Sequence, residues 1–148
     1  MNISKVFHFE AAHALYGYDG PCKHIHGHSY RLIITVSTVC QGNEYIPAPG
    51  ILLDFKELKK MVSDSVLNKL DHALILSARY LQDRPCLSGE ENLLVLPAEP
   101  SAENLLIYIR QLLSEVLPPP VRLVCLKLYE TQGSLATWHH TDAVALNH

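Results

Sequence analysis

Apolar and polar residues alternate along two long segments near the start of the chain, a pattern typical of strands. Residues 3–13 are rich in β-branched and aromatic side chains, and residues 25–39 form the clearest alternating run. One face of the first run carries Phe7, Phe9, Ala11 and His13, and one face of the second carries His26, His28, Tyr30, Leu32, Ile34 and Val36. The opposite face of the second run is largely polar. We therefore expect antiparallel strands with one covered side.

Two other segments repeat apolar residues at helical spacing. The first covers residues 55–70 and is preceded by Asp54, which with Glu57 resembles a capping box. The second opens at Pro100 and Ser101 and ends before the prolines at 118–120, since proline cannot continue a helix. The sequence therefore predicts two amphipathic helices.

The remaining segments are shorter or less regular. Residues 121–130 and 135–144 read as a third and a fourth strand, and residues 41–50 as a loop. Residues 71–100 lack a clear period and are expected to be mostly loop, with a short strand at 93–96.

This order of elements predicts an α+β fold, with two helices on one face of an antiparallel four-stranded sheet. The 148 residues are 48% hydrophobic and 18% charged, which suits a single domain over residues 1–148 with one core. No apolar run approaches the roughly 20 residues of a membrane helix, and the first residues do not resemble a signal peptide. We expect a cytoplasmic protein without a membrane partner.

Charge and cysteine content argue against several classes of protein. The formal net charge is −3 and no Lys/Arg stripe is present, which argues against a nucleic-acid partner and favours a small ligand. Four cysteines are spread along the chain without a CxxC pair, so neither a disulfide framework nor a zinc ribbon is indicated.

Histidines are concentrated at the start of the chain, where five of the nine lie in the first 28 residues. His26 and His28 are two apart on a strand, so both imidazoles project from one face, while Gly27 leaves the other face clear. His13 on the preceding strand is the natural third ligand of a metal site, because catalytic zinc often has three protein ligands. The alternative is three independently hydrogen-bonded histidines.

Cys22 lies four residues before His26, close enough to approach the same metal. It could be a fourth ligand that closes a structural site, or a thiolate activated by a nearby cation. The residues alone leave both alternatives open. His24 is out of phase with the strand and is not expected to be a ligand.

Two further groups could move or hold protons. Asp71 beside His72 could orient an imidazole as a proton relay, although such a pair is also common at a solvated helix end. Glu130 ends an apolar strand face, where a buried carboxylate needs a donor or a ligand. The alternative for Glu130 is a strand end exposed to water.

Five short segments, taken in order, resemble the bacterial 6-carboxytetrahydropterin synthases, close relatives of 6-pyruvoyltetrahydropterin synthase. They are FEAAH ending at His13, CKHIHGH from Cys22 to His28, LDH ending at His72, PSAEN beginning at Pro100 and ET beginning at Glu130. Together they span almost the whole chain and are far more specific than any one of them.

The resemblance implies a tunnelling fold, in which sheets from several subunits close into a β-barrel with active sites at subunit interfaces. The implied assembly is a homohexamer built from two trimers. It also implies a zinc-dependent lyase that acts on 7,8-dihydroneopterin triphosphate and uses no nicotinamide or flavin.

The resemblance also implies roles for individual residues. His13, His26 and His28 would bind Zn²⁺, and Cys22 would be the general base. His72, oriented by Asp71, would assist proton transfer. Glu130 would hold the pterin through two N–H bonds to its carboxylate. Ser101, a substrate-binding residue by this comparison, stands where the family motif usually has threonine.

The three residues between Cys22 and His26 resemble the 6-carboxy branch, since the animal 6-pyruvoyl enzymes have a longer gap. The expected products are 6-carboxy-5,6,7,8-tetrahydropterin, acetaldehyde and triphosphate, in a queuosine or deazapurine pathway. The alternatives are a 6-pyruvoyltetrahydropterin synthase that releases triphosphate only, and a noncatalytic protein that binds zinc and pterin.

Overall fold

A six-stranded mixed sheet forms the centre of the computed structural model, which describes residues 1–38 and 45–140. The strands are β1 (Asn2–His13), β2 (His26–Ser37), β3 (Ala73–Ser77), β4 (Leu93–Leu96), β5 (Arg122–Tyr129) and β6 (Leu135–His139). Their order across the sheet is β4-β3-β1-β2-β5-β6. The predicted α+β class is therefore confirmed.

The two long strands predicted from alternation are confirmed and form the centre of the sheet. β1 and β2 pair antiparallel along their whole length, with His13 opposite His26 and Ala11 opposite His28. The predicted end of the second strand, at residue 39, lies outside the described residues. This register brings the predicted histidine ligands to one end of one sheet face.

The prediction of four antiparallel strands is wrong, because β3 and β4 add two parallel strands in the segment expected to be mostly loop. β3 runs parallel to β1, and β4 runs parallel to β3. Ile75 of β3 packs into the main core, whereas Leu76 packs into a second cluster on the other side. A strand buried on both faces is a continuous apolar run, so it shows no alternation. The short strand predicted at 93–96 is confirmed.

Both predicted helices are present. The first consists of α1 (Phe55–Val62), a π-helical turn (Ser63–Leu67) and α2 (Asn68–Leu70). Asp54 caps its start, where the carboxylate accepts the Lys56 N–H at 2.8 Å.

One helix follows β3 and another follows β4. α3 (Ala78–Asp83) was not predicted; it is short and is capped by the Ser77 hydroxyl. α4 (Ala102–Val116) is the second predicted helix, capped by Ser101. No helix in the described ranges combines the length and apolar character needed to cross a membrane.

The core lies between one face of the sheet and the two long helices. It contains apolar side chains of β1, β2, β3 and β5 together with Leu58, Val62, Val66, Leu70, Leu105, Leu106, Ile109 and Leu113 of the helices. Each such side chain, when fully buried, contributes about 1.5–3 kcal/mol to folding. The sheet face that packs against the helices also carries the three histidines, so the site lies at the edge of the core.

β6 ends earlier than predicted, and residues 141–144 of the predicted strand lie outside the described residues.

Candidate metal centre and active site

Three imidazole rings converge at the end of the β1–β2 pair. The Nε2 atom of His13 lies 3.1 Å from Nε2 of His26 and 3.2 Å from Nε2 of His28. Within the described residues, these three form the one group of at least three His, Cys, Asp or Glu side chains that could hold a metal ion. The direct pairing of His13 with His26 produces this convergence.

Two backbone carbonyls determine which ring nitrogens are free. His13 Nδ1 lies 2.6 Å from the Pro100 oxygen, and His26 Nδ1 lies 2.8 Å from the His24 oxygen. A carbonyl only accepts hydrogen bonds, so each Nδ1 must carry the proton and donate it. In the neutral rings, both Nε2 atoms are therefore lone-pair acceptors that face each other.

This arrangement matches the demands of a divalent metal. Metal-binding histidines commonly donate the other ring N–H to a carbonyl, which leaves Nε2 to bind the ion. Zinc–nitrogen bonds of about 2.0–2.1 Å at tetrahedral angles separate ligand nitrogens by about 3.3 Å. The separations of 3.1 and 3.2 Å around His13 are close to that value. The donor set therefore fits a three-histidine site with an open fourth position.

Burial favours the neutral form of two of the rings. His13 is only 2% exposed, and this burial lowers its pKa, although the Pro100 carbonyl and the Glu130 carboxylate act in the opposite direction. Burial likewise lowers the pKa of His28, again opposed by Glu130. A neutral imidazole is the form that binds a metal, so the site favours the binding form.

A cavity of about 340 Å³ opens beside the three rings. Its lining includes His13, Cys22, His28, Ser101 and Glu130. The structure thus brings together five of the residues predicted for the site. Their arrangement can place a small ligand against a metal, a thiol and a carboxylate.

The thiol and the carboxylate reach the cavity from two different turns. Cys22 is half-buried in a 3-10 turn (Pro21–Lys23), and its carbonyl accepts the Leu15 N–H at 2.9 Å. Glu130 directly follows β5, and its Oε1 lies 3.9 Å from Nε2 of His13. The Glu130 side chain is 26% exposed, so a ligand can reach the carboxylate.

Tyr30 forms the aromatic floor beneath the rings. It is fully buried, stacks on Phe9 at 4.9 Å between ring centroids, and lies edge-on to His28 at 5.4 Å. Its hydroxyl has no hydrogen-bond partner in the described part of the chain, and burial raises its pKa. Tyr30 therefore supports the site by packing.

Asp71 and His72 do not line the cavity that contains Cys22. His72 lines a second cavity of about 460 Å³ with Glu10, Ala12 and His28, and Cys22 does not line it. Side chains alternate along β1, so Glu10 and Ala12 project from the face opposite His13. His28 borders both cavities, but the structure does not bring His72 and Cys22 into one cavity within one chain.

Several hydrogen bonds nevertheless hold Asp71 and His72 in place. Asp71 Oδ1 accepts the Glu10 N–H at 3.0 Å and lies 3.1 Å from Nδ1 of His72. His72 has a φ of 61°, a left-handed conformation that is unfavourable for a residue with a Cβ. Its own N–H donates to the Glu10 carbonyl, and its carbonyl accepts from the Asn92 side chain. The imidazole itself is 79% exposed and free to meet another group.

Sequence patterns did not reveal the carbonyls of His24 and Pro100, or the side chains that position them. A backbone acceptor has no signature in the residue types. Asn104 could be noticed in the sequence, because it is the last residue of the PSAEN segment. The contacts of its side chain could not be predicted from residue spacing.

Comparison with known proteins decides the family. The sequence model of the 6-pyruvoyl tetrahydropterin synthase family matches residues 2–141. The chain belongs to this family.

Relatives within the tetrahydropterin synthase family carry two names. A 6-carboxy-5,6,7,8-tetrahydropterin synthase of Haemophilus influenzae is 40% identical over 75 residues, which cover 49% of this chain and 50% of that protein. The human 6-pyruvoyl tetrahydrobiopterin synthase is 28% identical over 149 residues, which cover 92% of this chain and 89% of that protein. The first match thus spans half of the relative, and the second spans most of it.

Solved structures show the same fold. A 6-pyruvoyl tetrahydropterin synthase of Caenorhabditis elegans superimposes with a TM-score of 0.68 at 25% identity, over 95% of this chain and 96% of that one. An uncharacterised protein of Wolinella succinogenes gives a TM-score of 0.71 at 21% identity, over 95% and 98% of the two chains. The chain therefore has the same fold as these structures over 95% of its length.

Proposed function

We propose that the protein is a zinc-dependent lyase. It converts 7,8-dihydroneopterin triphosphate and one water molecule to 6-carboxy-5,6,7,8-tetrahydropterin, acetaldehyde and triphosphate. The observation that carries this proposal is the convergence of three histidines, two of which line one cavity with Cys22 and Glu130. Membership of the tetrahydropterin synthase family supports the substrate class.

His13, His26 and His28 are the proposed ligands of the zinc ion. When bound, zinc would supply Lewis acidity toward the hydroxyl groups of the substrate side chain. Imidazole ligands also suit other divalent metals, so metal analysis belongs to the test. The acceptor geometry of the Nε2 atoms supports this ligand set.

Cys22 is the proposed general base, and Glu130 the proposed pterin anchor. The Cys22 thiolate accepts a proton from the substrate side chain and becomes the thiol, and the triphosphate departs. The Glu130 carboxylate accepts two N–H groups from the aminopyrimidinone edge of the pterin, which fixes the ring in the cavity. Ser101 contacts the substrate from the start of α4. Electrons move internally from the side chain to the ring.

Asp71 and His72 are proposed to act from a neighbouring copy of the chain. Cys22 and His72 line different cavities of one chain, which supports a site assembled from two subunits. The proposed assembly is a hexamer of two trimers whose sheets close into a barrel. Such closure would pair β4 and β6, the two edge strands of the described sheet, and so remove exposed edges.

The 6-carboxy product is favoured by the three-residue gap between Cys22 and His26 and by the Haemophilus influenzae relative. A role in queuosine or deazapurine biosynthesis follows from that product. The second candidate is 6-pyruvoyltetrahydropterin synthesis, which the alignment with the human relative over most of the chain favours.

The test is product analysis by mass spectrometry after incubation of metal-analysed protein with 7,8-dihydroneopterin triphosphate. Cys22→Ala is run in parallel, with Cys86→Ala as the matched control, because Cys86 is an exposed cysteine that lies outside the cavity lining. We expect acetaldehyde and the 6-carboxy product from the parent and from Cys86→Ala, and none from a Cys22→Ala variant that retains zinc.

Other outcomes point to the alternatives. Triphosphate without acetaldehyde would identify the 6-pyruvoyl reaction. No turnover by zinc-loaded parent protein would refute the lyase and favour a noncatalytic protein that binds zinc and pterin.

A further inference from the structure

The turn before α4, residues 99–101, is held by three short contacts. The Glu99 carbonyl accepts the side-chain N–H of Asn104 at 2.8 Å and the backbone N–H of Ser101 at 2.8 Å. The Ser101 hydroxyl accepts the backbone N–H of Asn104 at 3.3 Å. Asn104 therefore fastens this turn twice, through its side chain and through its backbone.

The same turn is joined to the end of β1. The Pro100 carbonyl accepts the Nδ1–H of His13 at 2.6 Å, and the Glu99 carboxylate accepts the Tyr16 N–H at 2.7 Å. Pro100 and His13 are both buried, so water cannot replace the carbonyl. The position of one peptide group thus decides which nitrogen of His13 carries the proton.

α4 is a firm support for this contact. The helix has 15 residues, and its side chains at 105, 106 and 109 are in the main core. Asn104 sits at its first turn and is half-buried. Any movement of the Glu99 peptide would move the adjoining Pro100 carbonyl, because peptide groups are planar and share the Cα between them.

We propose that Asn104 is a positioning residue of the metal centre. Its side-chain amide holds the 99–101 turn so that the Pro100 carbonyl binds the Nδ1–H of His13 and leaves Nε2 to the metal. This inference rests on the proposed ligand role of the three histidines. It assigns to Asn104 a part in metal binding in addition to its place in the helix cap.

The test compares zinc affinities, measured by competition with a chromogenic chelator. Asn104→Asp keeps the size of the side chain, removes its N–H groups, and adds a negative charge where a helix start tolerates one. Asn104→Ser also removes the amide and suits a first helical turn. Partners of ligating histidines typically contribute 10–100-fold to metal affinity, so we expect both variants to bind zinc about tenfold more weakly.

One control isolates the effect. Asn92→Asp makes the same chemical change at the same type of contact, because the Asn92 amide donates to the His72 carbonyl at 2.8 Å. This variant should bind zinc within about twofold of the parent, since it does not alter the partner of His13.

A second readout follows the proton itself. In the zinc-loaded parent, the Nδ1–H of His13 should give a slowly exchanging proton signal in NMR spectra. It should exchange faster with water in both Asn104 variants and be unchanged in Asn92→Asp. This measurement at saturating zinc also reports on a variant that folds only with metal.

Three results would overturn the inference. Parent-like zinc affinity in both Asn104 variants would show that the amide is only part of the helix cap. An equal loss of affinity in Asn92→Asp would show a general loss of stability. Absence of zinc binding by the parent would refute both the metal centre and this inference. Of the three results, only this one would also contradict the proposed function.

Discussion

The Nε2 atoms of His13 and His26 lie 3.1 Å apart, although neither ring has a proton to share with the other. Each Nδ1–H is already donated to a backbone carbonyl. Two lone pairs at this distance repel each other unless a cation lies between them. The pair is therefore the clearest structural sign of a metal site in the described residues.

Loss of one ring should remove most of the metal affinity. We expect His28→Ala to bind zinc more than about 100-fold more weakly, since a direct ligand contributes more than its hydrogen-bond partners do. The matched control is His8→Ala, because His8 is exposed on β1 and lies outside the triad. Chelator competition measures both. Zinc affinity in His28→Ala equal to that of His8→Ala would contradict the assigned ligands.

A site shared between subunits should show complementation. Cys22→Ala and His72→Ala should each be inactive alone. When they are unfolded together and refolded as mixed oligomers, some interfaces combine an intact thiol with an intact imidazole, and turnover should return. Inactive mixed oligomers of normal size would place both groups in one subunit and refute the composite site.

Backbone strain at His72 should be separable from its chemistry. A left-handed conformation costs a residue with a Cβ about 1–2 kcal/mol, whereas glycine adopts it freely. With φ at 61°, His72→Gly should therefore exceed His72→Ala in free energy of unfolding by about 1 kcal/mol. Both variants should lack turnover. Urea titration measures the difference, and equal stabilities would show that the backbone relaxes in the alanine variant.

The metal-free protein should lose stability on acidification. Burial lowers the pKa of His13 and His28 in the folded state, so unfolding returns both to the ordinary value of 6.5. As the pH falls through that value, the unfolded chain binds more protons than the folded one. The free energy of unfolding must therefore decrease, and it levels off once the pH is below the folded-state pKa values.

His28→Gln provides the comparison for this pH dependence, since glutamine does not titrate. Its metal-free form should lose less stability than the parent between about pH 7.5 and about pH 5.5, the range in which unshifted histidines titrate. Denaturant titrations across that range measure the difference. A parent slope no steeper than that of the variant would contradict the direction of the His28 shift.

Much of the fold was predictable because most elements have one buried face. β1 and β2 show strict alternation, and the two long helices show helical spacing with caps at Asp54 and Ser101. β3 was missed because Ile75 and Leu76 are buried in different clusters on its two sides. Parallel pairing with β1 depends on tertiary contacts, which local pattern does not contain.

The meeting of the three histidines was predictable for a similar reason. The spacing of His26 and His28, with His13 on the adjacent strand, follows from strand geometry alone. The carbonyls that hold the rings, and the face on which His72 lies, depend on how the segment after α2 and the turn before α4 return to β1. These contacts join residues that are far apart in the sequence, so no local sequence pattern indicates them.

Zinc titration of the metal-free protein, with acetaldehyde release from 7,8-dihydroneopterin triphosphate as the signal, tests the central claim most directly. We expect no release without metal, and a rate that rises linearly with added zinc and stops rising at one ion per chain. Full activity in the metal-free protein would contradict zinc dependence, and no acetaldehyde at one zinc per chain would contradict a lyase that forms the 6-carboxy product at this site.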